Sequence, residues 1–178
     1  VAVHAVLFVG GENWQIWALY ALAFIPARFG SEPYPTIPGS QIWSFITYAF
    51  LHGGWMHLLF NCLWLLVFGT PVARYLGSIQ FYVLCAVAAV GGACASLALH
   101  WGEGIIMVGA SGAVSGLLGA AIPIMYGRRV PGGARPLSPG ELIGSRRALG
   151  FRAIGLAVTL FSGASGWTGN SFMDDGGI

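Results

Sequence analysis

The sequence predicts an all-α membrane protein that crosses the bilayer several times, and three observations support this. Of the 178 residues, 56% are hydrophobic and only 8% are charged, whereas a soluble domain carries about 25% charged residues. The apolar residues fall in long stretches, and about 20 such residues cross a bilayer as one helix. The basic residues are all arginines and cluster between these stretches. A second, soluble domain does not fit into this length.

The chain begins with an apolar segment, 1–9, which we expect to be the end of a helix that starts upstream. No basic region precedes it, so it is not typical of a signal peptide. Residues 10–46 are apolar and aromatic, but prolines break the pattern. We expect this segment to be an interfacial loop anchored at headgroup level by Trp14, Trp17 and Trp43.

Four later stretches predict transmembrane helices, at 47–69, 78–100, 110–126 and 149–167. Residues 127–148 contain five arginines together with glycine, proline and serine, which indicates a mobile loop outside the membrane. The positive-inside rule places this loop in the cytoplasm, together with the short turn that carries Arg74. The opposite connections are acidic except for Arg28. Helices 47–69 and 110–126 therefore run inward from the outer face.

Polar residues converge near the outer ends of these two inward-running helices. His57 and Asn61 are four residues apart, so they share one helix face. His52 precedes His57 by five residues and points elsewhere unless it lies in the entry turn. A single intramembrane histidine or asparagine often serves only as a hydrogen bond between helices. Several polar residues at one depth instead indicate a functional site.

Ser111 lies at the start of helix 110–126, where unpaired N–H groups and the helix dipole favour negative charge. The oxyanion of an acyl-transfer reaction needs donors, and the Asn61 amide, a His57 N–H and the Ser111 backbone N–H are the candidates. The alternative is that Ser111 is only an N-cap. Small residues follow at helical spacing and predict close approach of a neighbouring helix: Gly112, Ser115, Gly116 and Gly119.

Two stretches resemble the rhomboid family of intramembrane serine proteases. WSFITYAFLHGGWMHLLFNCLWLLVFG at 43–69 is similar to the family's second transmembrane helix, with its His-x4-His-x3-Asn pattern. MVGASGAVSGLLGA at 107–120 is similar to the helix that carries the Gly-x-Ser-Gly nucleophile. The resemblance implies a rhomboid-like helical bundle, incomplete at both ends, within a single domain 1–178. One departure is the turn TPVARYLG, because many bacterial relatives carry an acidic residue near Ala73.

The resemblance also implies residue roles. Ser111 is the expected nucleophile, His57, Asn61 and the Ser111 backbone form the oxyanion site, and His52 and Gly109 support it. The family's general base is a histidine on a sixth helix, which here would lie beyond residue 178. Neither His4 nor His100 matches it, and a serine is a weak nucleophile without a base. We therefore expect the 178 residues alone to be inactive. Ser165 lies in a second GASG, but the glycine stripe is missing there, so we do not expect it to be the nucleophile.

The implied function is a serine endopeptidase that cleaves transmembrane protein substrates near the outer face of a bacterial inner membrane. It needs no metal or organic cofactor and no nucleic acid; the oligomeric state is left open. One alternative is a non-catalytic rhomboid-like protein that binds transmembrane clients. Another is a metal or haem site, since paired histidines ligate metals. The three cysteines lack ligand spacing and predict neither a zinc site nor disulfides: Cys62, Cys85 and Cys94.

Overall fold

The structure is a computed structural model that describes residues 1–130, 133–146, 149, 150 and 153. The regular elements of these residues are helices, apart from one small hairpin and one isolated β-bridge, which confirms the all-α class. The helices are α1 (Ala2–Gly10), α2 (Glu12–Leu22), α3 (Ser40–Thr47), α4 (Trp55–Leu76), α5 (Ser78–Leu99), α6 (Ser111–Met125) and α7 (Pro139–Gly144). Two 3₁₀ turns, Pro26–Phe29 and Tyr48–Phe50, lie among the first helices.

Helices α4 and α5 are both long and apolar enough to cross a membrane. Their large apolar side chains point outward, with Leu66 66% and Ile79 78% exposed, while the small residues Ala89 and Ala93 of α5 are buried. A water-soluble helix has the reverse arrangement. This distribution suits a lipid surround, since small residues let helix backbones pack closely within a bilayer.

Helix α4 differs from the predicted helix 47–69 at both ends. It begins only at Trp55, because the residues before it form a 3₁₀ turn and an extended Gly53-Gly54 segment. His52 therefore lies in the loop before the helix and not on it, which corrects its predicted position. At its other end α4 continues through Pro71 to Leu76, since an apolar helix packed among others tolerates an internal proline.

Helix α5 occupies almost the range of the predicted helix 78–100, and α6 that of 110–126. The small residues of α6 were predicted to let a neighbouring helix approach closely, and that neighbour is α5. A Cβ added at Gly116 would collide with the Ala88 side chain, and one at Gly112 would lie 3.5 Å from the Ala89 Cα. Gly119 faces open space instead. Only part of the small-residue stripe therefore contacts α5.

The predicted interfacial loop 10–46 contains regular structure, and side chains satisfy the carbonyls at the end of α2. That helix ends before Pro26, which has no N–H to offer the Leu22 carbonyl. Thr47 Oγ1 donates to this oxygen at 2.8 Å. Trp43 Nε1 donates to the Ala21 carbonyl at 2.6 Å. The buried Arg28 guanidinium donates to the carbonyls of Tyr20 and Ala23 at 2.6 and 2.8 Å.

The predicted cytoplasmic loop 127–148 also contains regular structure. Strands β1 (Arg128–Val130) and β2 (Gly133–Arg135) pair antiparallel. Helix α7 begins with a capping box between Ser138 and Glu141. The Ser138 backbone N–H donates to the Glu141 carboxylate and lowers its pKa. The same carboxylate lies 3.6 and 3.7 Å from the guanidinium groups of Arg128 and Arg135.

The predicted helix 149–167 lies outside the described residues, apart from residues 149, 150 and 153, which are helical. The second GASG, with Ser165, also lies outside them. Whether α4, α5 and α6 cross a bilayer in the predicted directions stays a prediction, because no membrane is present in the structure.

Replacement of Arg28 by alanine is expected to destabilise the protein by about 2–6 kcal/mol, since two carbonyls lose their donors and each buried unpaired group costs about 1–3 kcal/mol. Arg74→Ala, at an exposed arginine of α4, should change stability by less than about 0.5 kcal/mol. Unfolding in detergent micelles, followed by circular dichroism during denaturant titration, compares the two. Equal losses in both variants would contradict this account of the end of α2.

Candidate active site

Ser111 is the first residue of α6, and its side chain is exposed. Ala110 is the N-cap, and no side chain donates or accepts a capping hydrogen bond there. The alternative interpretation of Ser111 as an N-cap is therefore wrong. Because Ser111 lies in the first helical turn, its N–H has no acceptor within the helix. An accessible hydroxyl and a free backbone donor thus belong to the same residue.

His57 and Asn61 lie on α4 and face the segment just before Ser111. A Cβ added at Gly109 would lie 2.6 Å from His57 Nε2 and 3.7 Å from Asn61 Nδ2. Both side chains therefore approach the backbone of Gly109, two residues ahead of Ser111. This position also requires glycine for a second reason, since its φ is +108°. The structure thus brings the predicted oxyanion donors to the predicted supporting glycine, two residues before the predicted nucleophile.

The hydrogen bonds of His57 indicate which ring nitrogen carries a proton. The Gly53 backbone N–H donates to His57 Nδ1 at 3.4 Å, and a neutral ring with Nδ1 as acceptor has its proton on Nε2. Nε2 is the nitrogen that faces Gly109. Asn61 is buried, and its amide nitrogen donates to the His57 carbonyl at 3.0 Å. An amide has two N–H donors, so one is left for another acceptor.

His52 lies beside His57, with ring centroids 5.2 Å apart in an edge-to-face arrangement. Both of its ring nitrogens are buried, and among the described residues only the Phe50 backbone comes near them, without the geometry of a good hydrogen bond. On its other side the His52 ring lies 6.4 Å from that of His4, which is buried and packs against Trp55 at 4.7 Å. A cavity of about 270 Å³ adjoins His4, His52 and Trp55. No sequence motif indicates that His4 belongs to this cluster, because it comes from α1.

The segment Met107–Gly109 is fixed by main-chain hydrogen bonds to distant parts of the chain. Phe24 and Met107 exchange two bonds, with N···O distances of 3.1 and 2.9 Å. The Gly109 N–H donates to the Tyr48 carbonyl at 2.9 Å. Sequence reasoning missed both Phe24 and Tyr48, since neither carries a chemical group typical of a site. Their contribution is to place the residues that lead into Ser111.

The remaining candidates for chemistry lie elsewhere. His100 is exposed and contacts Glu103, with Nδ1 and Oε2 3.1 Å apart. Cys62, Cys85 and Cys94 are free thiols. Within the part of the chain that the structure describes, no group of three or more His, Cys, Asp or Glu side chains is placed to hold a metal ion. The metal alternative therefore finds no set of three such ligands in this part, and the haem alternative stays a prediction.

Replacement of Gly109 by alanine is expected to destabilise the protein by about 1–3 kcal/mol, the cost of a strained backbone at positive φ, in addition to displacing the His57 ring. Gly119→Ala, within α6, is the control, because nothing lies within 4 Å of its added Cβ. That variant should be neutral or slightly more stable, since alanine favours helix. Thermal unfolding in detergent compares the two, and an unchanged midpoint for Gly109→Ala would contradict the contact with His57.

Comparison with known proteins identifies a matching family and several relatives. A family model described as the rhomboid domain matches residues 39–168. Rhomboid protease GlpG of Yersinia pestis (strain Pestoides F) is 26% identical over 137 residues, which cover 74% of this chain and 41% of that protein. RHOMBOID-like protein 4 of Arabidopsis thaliana is 39% identical over 97 residues, 54% of this chain and 24% of that protein. No solved structure gives a significant match.

The chain spans less than half the length of these curated relatives. The family model nevertheless covers most of the chain and includes every predicted site residue, from His52 to Ser111. Two helices are apolar enough to span a bilayer, and the described part is a helical bundle of the predicted class. The chain belongs to the rhomboid family of integral membrane proteins.

Proposed function

We propose that this protein is an intramembrane serine endopeptidase that cleaves transmembrane proteins, with Ser111 as the nucleophile. The observation that carries the proposal is the contact of His57 and Asn61 with Gly109. It puts two side-chain donors beside the segment that ends in an exposed serine at a helix N-terminus. The similarity to rhomboid protease GlpG supports the same reaction.

The proposed reaction is acyl transfer. Ser111 Oγ attacks the carbonyl carbon of a peptide bond, and its proton passes to a general base. The carbonyl oxygen becomes an oxyanion, which accepts hydrogen bonds from the Ser111 N–H, His57 Nε2–H and the second Asn61 N–H. The base then protonates the leaving amine as the C–N bond breaks, and water hydrolyses the acyl enzyme. No step requires a metal or an organic cofactor.

The general base is proposed to be a histidine outside these 178 residues. In this proposal His57 donates its Nε2–H to the oxyanion, so the same nitrogen does not accept the Ser111 proton. His100 contacts Glu103 at the surface. His52 lies beside His57 in the loop before α4, and we assign it a supporting role that keeps the His57 ring in place. A Ser/His dyad then forms when a histidine from a further helix reaches Ser111.

The site is proposed to lie toward the non-cytoplasmic face. Helix α4 runs from the site at Trp55 to Arg74 in its last turn, and α6 runs from Ser111 to the hairpin that contains Arg128 and Arg135. Both helices thus begin at the site and end near arginines. Since arginines mark the cytoplasmic side, the scissile bond of a substrate would be cleaved near the outer surface of a bacterial inner membrane.

The decisive experiment uses the protein expressed from its full natural reading frame and a model transmembrane substrate in detergent or liposomes. Ser111→Ala should abolish cleavage, because the nucleophile is lost. The matched controls are Ser115→Ala, one turn later on α6, and Ser165→Ala in the second GASG, and both should cleave at the normal rate. Cleavage that survives in Ser111→Ala would overturn the proposal. Substrate capture without cleavage by the wild-type protein would favour the client-binding alternative.

The oxyanion assignment makes a separate prediction. Asn61→Ala should lower kcat by about 10²–10³-fold, the cost of removing one oxyanion donor, with a much smaller effect on KM. His57→Ala should fall in the same range, whereas His100→Ala, at an exposed histidine outside the site, should retain normal activity. Steady-state kinetics on the same substrate separates kcat from KM. A loss confined to KM would show that His57 and Asn61 bind the ground state instead.

A further inference from the structure

Tyr48 connects the candidate site to the helices α5 and α6 through its main-chain carbonyl and its side-chain hydroxyl. It is the first residue of the 3₁₀ turn that leads into the loop containing His52, and its side chain is fully buried. Its carbonyl accepts the Gly109 N–H at 2.9 Å. Its hydroxyl donates to the Ala89 carbonyl of α5 at 2.9 Å. A single residue therefore contacts the segment before Ser111 through its main chain and the helix next to α6 through its side chain.

The Tyr48 hydroxyl fills the space between two glycines of facing helices. A Cβ added at Gly112 of α6 would lie 2.5 Å from the hydroxyl oxygen, and one added at Gly92 of α5 would lie 3.0 Å from it. The other atoms near the Gly112 Cβ, in Ala88 and Ala89, are at ordinary van der Waals distance of 3.5 Å. A larger residue at position 112 would therefore collide with the Tyr48 hydroxyl, whereas glycine leaves room for it. Gly112 directly follows Ser111.

We propose that Tyr48 is a positioning residue for the proposed reaction. Its carbonyl fixes Gly109, and its hydroxyl sets the separation of α5 and α6 at Gly112, so that both sides of Ser111 are held by the same residue. This inference rests on the assignment of Ser111 as the nucleophile. The geometric part, the fit between the Tyr48 hydroxyl and Gly112, is independent of catalysis.

The hydrogen bond of the hydroxyl explains why catalysis should respond more than stability. The Ala89 carbonyl lies inside α5 and already accepts a main-chain N–H from the next helical turn. Removal of the Tyr48 hydroxyl consequently leaves no buried carbonyl unpaired. What is lost is one polar contact and the filler between the two glycines. Because small displacements of a reacting group are costly in rate, α6 can shift enough to affect Ser111 while the fold persists.

The first test is Tyr48→Phe, which keeps the ring and the main-chain bond to Gly109. We expect kcat per folded molecule to fall about ten-fold, with KM within about two-fold and little change in the thermal unfolding midpoint. The folded fraction is taken from the unfolding curve of the same preparation. Wild-type kcat in this variant, or a loss that follows the unfolding midpoint alone, would overturn the positioning role.

The second test examines size complementarity with paired substitutions. Gly112→Ala should impair both unfolding midpoint and kcat, because its methyl group collides with the hydroxyl. Adding Tyr48→Phe should restore a large part of both, since the phenylalanine leaves room for the methyl group. Gly116→Ala is the matched control on α6, because its methyl group would meet Ala88 and not Tyr48. Tyr48→Phe should not rescue that variant.

The outcomes of these tests are distinguishable from failure of the proposed function. If the wild-type protein does not cleave substrate, the protease assignment fails, and the unfolding midpoints alone still test the contact between Tyr48 and Gly112. If the protein cleaves but the double variant is no better than Gly112→Ala, the hydroxyl does not set the helix separation and the inference about Tyr48 is wrong. Equal rescue of Gly112→Ala and Gly116→Ala would also overturn it.

Discussion

Three main-chain hydrogen bonds to the segment Met107–Gly109 determine where α6 begins. Two join Met107 to Phe24, and one joins Gly109 to Tyr48. Without them the residues before Ser111 would be a free connection between α5 and α6, and the contact of His57 with Gly109 would not be fixed. The candidate site is therefore built on chain segments that contain none of its chemical groups. Its geometry depends on the order of the segment that contains Phe24, between α2 and α3.

That segment is ordered because its carbonyls find donors. An unpaired carbonyl is costly in low-dielectric surroundings. Helix α2 ends at Leu22, and the carbonyls of its last turn have no partner within the helix. The side chains of Arg28, Trp43 and Thr47 supply the missing hydrogen bonds. Arg28 was the one arginine that did not follow the topological pattern of the sequence, and its buried position explains the exception. Its guanidinium acts as a local cap at a helix end, where the carbonyl dipoles favour positive charge.

Composition and spacing predicted the helical class, the approximate ranges of α5 and α6, and the approach of His57 and Asn61 to the segment before Ser111, because each depends on local periodicity or on a motif. The start of α4 was misplaced since hydropathy does not register the break at Gly53-Gly54. The contribution of Tyr48 could not be predicted, because it depends on which glycines of two later helices lie against its hydroxyl. The pairing of Phe24 with Met107 likewise joins residues far apart in the sequence and has no local signature.

The polar groups that face the proposed oxyanion are all neutral, and this follows from their surroundings. A buried lysine or arginine would stabilise the oxyanion strongly but would be costly in the resting state of a site within a membrane. Neutral N–H dipoles avoid most of that cost, and they act once negative charge develops on the substrate oxygen. They must then be held in the correct orientation beforehand, since a neutral dipole that points away contributes nothing. The bond from Gly53 to His57 Nδ1, the burial of Asn61 and the main-chain bonds around Gly109 meet that requirement. The proposed oxyanion site therefore demands a rigid frame, and the main-chain and side-chain hydrogen bonds that would form this frame involve more of the chain than the proposed reacting groups do.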